Sequence, residues 1–261
     1  MPAGASSTGL PVAGNEGRRA PRASFVEPPS AVNAPAFSGA SQTIRNVRRD
    51  FSEWHLGRPR YLLWALDVDT PPVRQRVLSA QRQLSGLLLD DYARQPHITL
   101  SLCGFPSTNP CHADDFGAEA LHRQIAGLQR IRPRPFGIRI GSLSSFTSAP
   151  YLEVDDAGTH IASLRTCLAG GELKHPDGSY TPHVTVGLYA DAWPTAQVHE
   201  RLSRFADNAP LDLRIERISL FGYQSADIGG ALTRIADYDF ERGVMQWHEA
   251  PPFQARTAKR A

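Results

Sequence analysis

An α+β chain in which one unit is written twice, folding as two lobes around a shared cleft, is the architecture this sequence predicts, and three observations predict it. Strand-length apolar runs alternate with segments of helical spacing from residue 61 to residue 248. The order strand, helix, strand, helix, strand occurs twice, the mark of a doubled supersecondary unit. The middle strand of each round carries the same polar insertion in an apolar run, "PHIT" at 96–99 and "PHVT" at 182–185.

Residues 1–43 are rich in Ala, Pro, Ser and Gly and show no periodicity. Such a segment cannot bury enough surface to offset the entropy of ordering it. A disordered leader over residues 1–50 is expected, with residues 44–58 holding the makings of a short helix into the domain. The leader lacks a signal-peptide apolar core. Its Arg and Ser content and its scarcity of acid weakly resemble a transit or export leader, with a plain flexible tail as the alternative. A cytoplasmic protein is expected, or one exported or sent to an organelle if the leader is read as an address.

The first round opens with "RYLLWALDV", a buried strand. Thr70 is placed to cap a helix with Pro71 and Pro72 in its first turn and an apolar stripe through Val73, Val77, Leu84 and Leu87. "HITLSL" is the second strand, residues 113–130 a second helix, and "FGIRIGSL" the strand that closes the half. The second round runs "YLEVD", a helix over 159–169, "HVTVGLY", a helix over 194–206 and "LDLRIERISLFGY" as a single closing strand. Gly229–Gly230 is expected to turn a hairpin into one more strand, "ALTRIADYDF". The domain is thus set at 51–248, with 249–261 as a flexible tail.

Composition narrows the function. No run approaches the roughly 18 uncharged apolar residues of a membrane span. The three cysteines, Cys103, Cys111 and Cys167, form no CxxC pair, which argues against a disulfide framework or a cysteine-based zinc site. The net charge of +2 is uneven: eight Arg against four acids put +4 on residues 1–60, the tail adds +2, and residues 61–248 carry an excess of four negative charges. Grip on long nucleic acid comes largely from phosphate neutralisation by a basic surface, so duplex DNA is not the expected partner. A small nucleotide or a short RNA is. A monomer is the expected oligomeric state.

Residues two apart on a strand share a face. His97 with Thr99, and His183 with Thr185, therefore project together, while Ile98, Leu100, Val184 and Val186 turn to the other side. Of the nine histidines, only these two have Ser or Thr two positions on. A lone His on a strand is more often structural than catalytic. Two with the same preceding Pro, at matching places of a repeated unit, are hard to ascribe to chance.

The two tetrads, "HITL" at 97–100 and "HVTV" at 183–186, resemble the signature of the two-histidine (2H) phosphoesterase superfamily. That group includes bacterial proteins called 2′-5′ RNA ligases, cyclic phosphodiesterases and 2′-5′ oligoadenylate phosphodiesterases. The resemblance spans about residues 60–240 and implies a bilobal α+β fold, two antiparallel-sheet lobes with outer helices around a central cleft. It implies a metal-independent phosphodiesterase acting on 2′,3′-cyclic phosphate or 2′-5′ bonds in nucleotides or short RNA, with RNA end joining or a non-catalytic nucleotide-binding module as alternatives. His97 and His183 would serve as acid and base, a task suited to imidazole because its pKa lies near working pH. Thr99 and Thr185 would donate to the non-bridging oxygens of the phosphate. No cofactor is implied. The rival reading, a metal held by the two histidines, lacks further ligands, since no HExxH or Asp/His cluster supplies them.

Substrate contacts are expected from residues flanking the motifs. Arg94 precedes the first, Lys174 and His175 precede the second, and Tyr92, Tyr180, Tyr223 and Phe105 are candidates for stacking on a base. Phe146 reads as core, and Cys111–His112 as an adjacent pair in a polar loop without a role.

Overall fold

A computed structural model describes residues 37, 39–170 and 180–253. Lys174 and His175 lie outside them. The first half contributes β1 (Arg60–Asp67), α2 (Pro71–Gln83), β2 (His97–Pro106), a short β3 (Asp115–Phe116), α3 (Ala118–Ile131) and β4 (Phe136–Ser145), preceded by a single turn α1 (Ser52–His55). The second contributes β5 (Pro150–Asp155), α4 (His160–Leu168), β6 (His183–Thr185), α5 (Thr195–Ser203), β7 (Leu211–Ile215) and β8 (Arg217–Gln224), and the chain ends with β9 (Thr233–Asp239) and β10 (Val244–Trp247).

These strands make two sheets, ordered β10-β9-β8-β1-β2-β3 and β6-β5-β4-β7. All pairings are antiparallel except β2 with β3. The architecture is therefore the expected α+β pair of lobes, with one correction to the connectivity. Each half lends its closing strand to the other lobe. β4 leaves the first half to pair with β5, and β8 leaves the second to pair with β1.

The single closing strand expected over 211–223 is accordingly two. β7 lies at the edge of the second sheet and β8 in the middle of the first. The break has a physical cause in the alternation. Leu211, Leu213 and Ile215 face the core at odd positions, and Ile218 and Leu220 do so at even ones, so the strand must break between them to keep both sets inside. β10, which pairs with β9, is a further strand absent from the expected set.

One continuous core joins the lobes. Trp64 is fully buried, and its Nε1 donates to Gln124 of α3 at 2.8 Å, while Gln124 donates to the carbonyl of Leu168 at the end of α4. α4 thus packs beside α3 and against β2, across the boundary between the halves. Arg76 of α2 crosses the other way. It is 3 % exposed, pairs with Asp207 at 3.0 Å and donates to the carbonyls of Gly141 and Ala209.

Two boundaries differ from expectation. Residues 39–50, expected within the disordered leader, lie against the second lobe. Thr43 N–H donates to the Trp193 carbonyl, Ile44 N–H to Thr147, and the buried Asn46 amide to Ser148 and Tyr189. Arg48 then reaches Asp227 and the carbonyls of Asp90 and Asp91 on the first lobe. The inward residues are polar and bond to backbone carbonyls, so the segment docks without an apolar signature. At the other end, Glu249 pairs with Arg60 at 2.9 Å and Phe253 packs on Phe116, so the first residues of the expected tail are also in place.

Candidate active site

β2 and β6 bring the two motifs together. Residues on the two strands approach within 8 Å, Cα to Cα. The alternation in each is as the period of a strand requires. Ile98, Leu100, Val184 and Val186 are at most 1 % exposed in the core, while Thr99 and Thr185 are half-buried on the other face with their histidines. Just past Thr99 the β1–β2 ladder slips by one residue, since Ala65 pairs with Thr99 and Trp64 with Ser101. A second slip follows, and Gly104 there has φ +120°; a Cβ on it would stand 2.2 Å from the Asp114 carbonyl that β3 brings in, so only glycine fits.

The two imidazoles are held identically. His97 Nδ1 lies 2.7 Å from the carbonyl of Gln95, and His183 Nδ1 lies 2.7 Å from the carbonyl of Thr181. A carbonyl only accepts, so Nδ1 carries the proton in both rings and donates it. Nε2 is thereby left in each as the atom that can take up or release a proton, the arrangement by which one ring nitrogen sets the role of the other.

Both rings are kept from charging. Burial lowers the pKa of His97, the neighbouring Arg94 and His183 lower it further, and the Gln95 carbonyl only partly opposes them, leaving it at about 4. Burial likewise lowers His183, opposed by the Thr181 carbonyl and reinforced by Arg165. The burial of His183 is aromatic: Phe146 meets its ring edge-on at 4.9 Å, Tyr151 lies at 5.5 Å, and those two stack on each other at 4.2 Å. At neutral pH the resting site therefore holds two neutral imidazoles, and an anion between them is what would favour protonation of either.

The expected contacts divide. Arg94 stands by His97, donates to the Gly230 carbonyl at 3.3 Å and lies 4.3 Å from the centre of the Tyr223 ring. Tyr180 joins the motifs, its hydroxyl donating to the Thr99 carbonyl at 2.6 Å. Tyr223 is half-buried between Arg94 and Tyr61. Phe105 is a correction. It is fully buried beneath Trp54 of α1 and Tyr61, with the Arg58 guanidinium 3.8 Å over its ring, so it plugs one end of the sheet and cannot stack on a ligand. Phe146, read as core from the sequence, instead lines His183. Arg165 escaped the sequence reading altogether, because a charged residue beside the apolar stripe of a helix looks like a solvated face.

Among the described residues, one trio could offer ligand atoms to a metal, Cys111, His112 and Asp115, all within 4.8 Å of one another. Asp115 there is already engaged by the N–H groups of Cys111 and His112 and by Arg58 at 2.8 Å. Burial alone would raise its pKa, and these three donors hold it well below the usual carboxylate range. Neither motif histidine belongs to the trio. The carboxylates at and just past the end of β1 are also committed, Asp67 to Arg234 and Asp69 to Arg74.

Comparison with known proteins agrees with the motifs. The family model described as the 2′-5′ RNA ligase superfamily matches residues 71–227. Among solved structures, TT0787 of Thermus thermophilus is similar at 18% identity over 69% of this chain and 97% of its own, with a TM-score of 0.43. E. coli LigT complexed with 3′-AMP matches at 15% identity over 70% and 98% of the two chains, with a TM-score of 0.45. The same protein complexed with phosphate gives 15%, 70%, 98% and 0.44. No curated protein matches the chain. No helix among the described residues is long and apolar enough to cross a membrane.

Proposed function

The chain belongs to the 2′-5′ RNA ligase superfamily, as its match over residues 71–227 shows, and we propose that within it this protein is a metal-independent phosphodiesterase. Its substrates are 2′,3′-cyclic phosphates or 2′-5′ linkages in nucleotides or short RNA. The observation that carries this reading is the pair of matched imidazoles, each with Nδ1 committed to a backbone carbonyl, which makes Nε2 the proton-exchanging atom. Cleavage of a phosphodiester needs a proton removed from the attacking oxygen and one given to the leaving oxygen. One neutral and one protonated imidazole, on strands from opposite lobes, supply both without a metal. Thr99 and Thr185, on the same faces as the histidines, donate to the non-bridging oxygens where charge builds in the transition state. The rings begin neutral, and the substrate's own phosphate favours protonation of the one that acts as acid.

Water as nucleophile gives hydrolysis. A ribose hydroxyl in its place gives end joining, the reverse of cleavage through the same two groups, so the two activities share one site. The test offers the purified protein 2′,3′-cyclic nucleotides and 2′-5′ oligoadenylates in EDTA. Turnover is expected to persist in the chelator and to fall by about 10²- to 10⁴-fold in His97→Ala and in His183→Ala. Full activity in either variant, or loss of activity in EDTA that zinc or magnesium restores, would overturn the proposal.

A further inference from the structure

Arg165 sits where the two halves of the site meet. It belongs to α4, yet its Nη1 donates to the carbonyl of Leu100 on β2 at 2.8 Å, one residue past Thr99. Its guanidinium lies 3.3 Å from the centre of the Tyr180 ring, and Tyr180 donates to the Thr99 carbonyl. Burial raises the pKa of the Tyr180 hydroxyl, which therefore stays protonated and keeps donating. Tyr180 also stands three residues before His183. A single guanidinium thus grips the first motif strand by its backbone and, through an aromatic ring, the approach to the second.

Among the described residues that charge has no acidic partner. Arg165 is half-buried, and among the described residues its partners are the Leu100 carbonyl and Tyr180, through ring face and hydroxyl, with no carboxylate. The rest of α4 does ordinary work, with Ile161, Leu164 and Leu168 in the core. Taking a charge out of water is costly unless a counter-ion offsets it, and a cation kept without one in a cleft favours an anion from outside.

We propose that Arg165 is a positioning residue of this site, bracing β2 against the approach to β6 and supplying positive charge that the phosphate between His97 and His183 neutralises. The proposal rests on the phosphodiesterase reading for the identity of the anion. The same guanidinium adds to the burial that keeps His183 neutral, and its share of that restraint is released once phosphate is bound. Among the described residues, the other ionisable groups at this imidazole are Glu153, its exposed cross-strand partner on β5, the phenol of Tyr151, and His97 from the first lobe.

The experiment follows the ring protons of both histidines by NMR across pH, with and without inorganic phosphate, in the full chain and in Arg165→Met, Arg165→Lys and Tyr180→Phe. In Arg165→Met, His183 is expected to titrate at higher pH in phosphate-free buffer, and phosphate to bind about tenfold more weakly, the order of one lost charge-assisted hydrogen bond. Arg165→Lys should restore the titration. Tyr180→Phe should leave the titration in place and lower kcat, because it loosens the brace and spares the charge. Unchanged titration and phosphate affinity in Arg165→Met would overturn the inference, as would failure of inorganic phosphate to bind the wild-type protein. A shifted titration in a protein that turns over none of the offered substrates would uphold Arg165's role and defeat the phosphodiesterase reading instead.

Discussion

Replacing His97 with Gln should remove a pH dependence of stability that the burial of this imidazole builds into the fold. His97 is 8 % exposed, and its pKa is lowered from the ordinary 6.5 to about 4. Between those values the unfolded chain binds a proton that the folded chain refuses. Stability therefore falls as pH drops from about 6.5 towards 4 and is intact above that range. Each unit of difference is about 1.4 kcal/mol, so the loss is about 2 kcal/mol at pH 5 and about 3 kcal/mol once pH lies below both values. Gln is chosen because its amide can still donate to the Gln95 carbonyl but does not titrate. Urea unfolding of both proteins at pH 7.5 and pH 5 measures the effect. Carboxylates and His183 titrate in both, so the difference of the two differences isolates His97. Inorganic phosphate should shrink the acid loss in the wild type, because an anion beside the ring favours its charged form. An equal loss of stability in wild type and variant would refute the reasoning.

Asn46→Ala tests the docked segment. Its buried amide donates to the Ser148 and Tyr189 carbonyls at 2.9 and 3.1 Å; both carbonyls keep a backbone donor, so the loss of the two side-chain bonds should cost about 1–3 kcal/mol, read as a fall in the calorimetric Tm. Arg58→Met should cost about 3–5 kcal/mol in urea unfolding, because the side chain of Asp115 is only 2% exposed and loses its cation; Asp115→Asn added to it should recover part of the loss. Phe105→Ala should cost about 3–5 kcal/mol as a cavity in a well-packed core while KM of the folded protein for the proposed substrates stays unchanged. A raised KM there would show that the ring contacts substrate after all.

How much of this was legible in the sequence depends on whether a contact is made within one strand or between distant segments. The motif faces were legible because the period of a strand is a local property: once His97 points to the cleft, Thr99 must follow and Ile98 must not. The exchange of closing strands was half legible. The change of parity between Ile215 and Ile218 is written in the chain, but nothing local says that the broken piece pairs with β1 rather than β4. Phe105 shows where local counting fails. Its distance from His97 fits the cleft face, yet two slips in the β1–β2 ladder intervene, and the ring is covered by Trp54, which the sequence separates from it by fifty-one residues. Arg165 was hidden for the same reason. Its helix pattern tells which residues enter the core, and only the packing of α4 against a strand of the other half turns a flanking arginine into part of the site. The residues that tie these distant segments together, Arg165, Tyr180, Asn46 and Arg48, work largely through backbone carbonyls and a ring face, with carboxylates entering only at Arg48. Those partners have no sequence signature, so a two-lobed site announces its chemical groups and conceals the contacts that set them against each other.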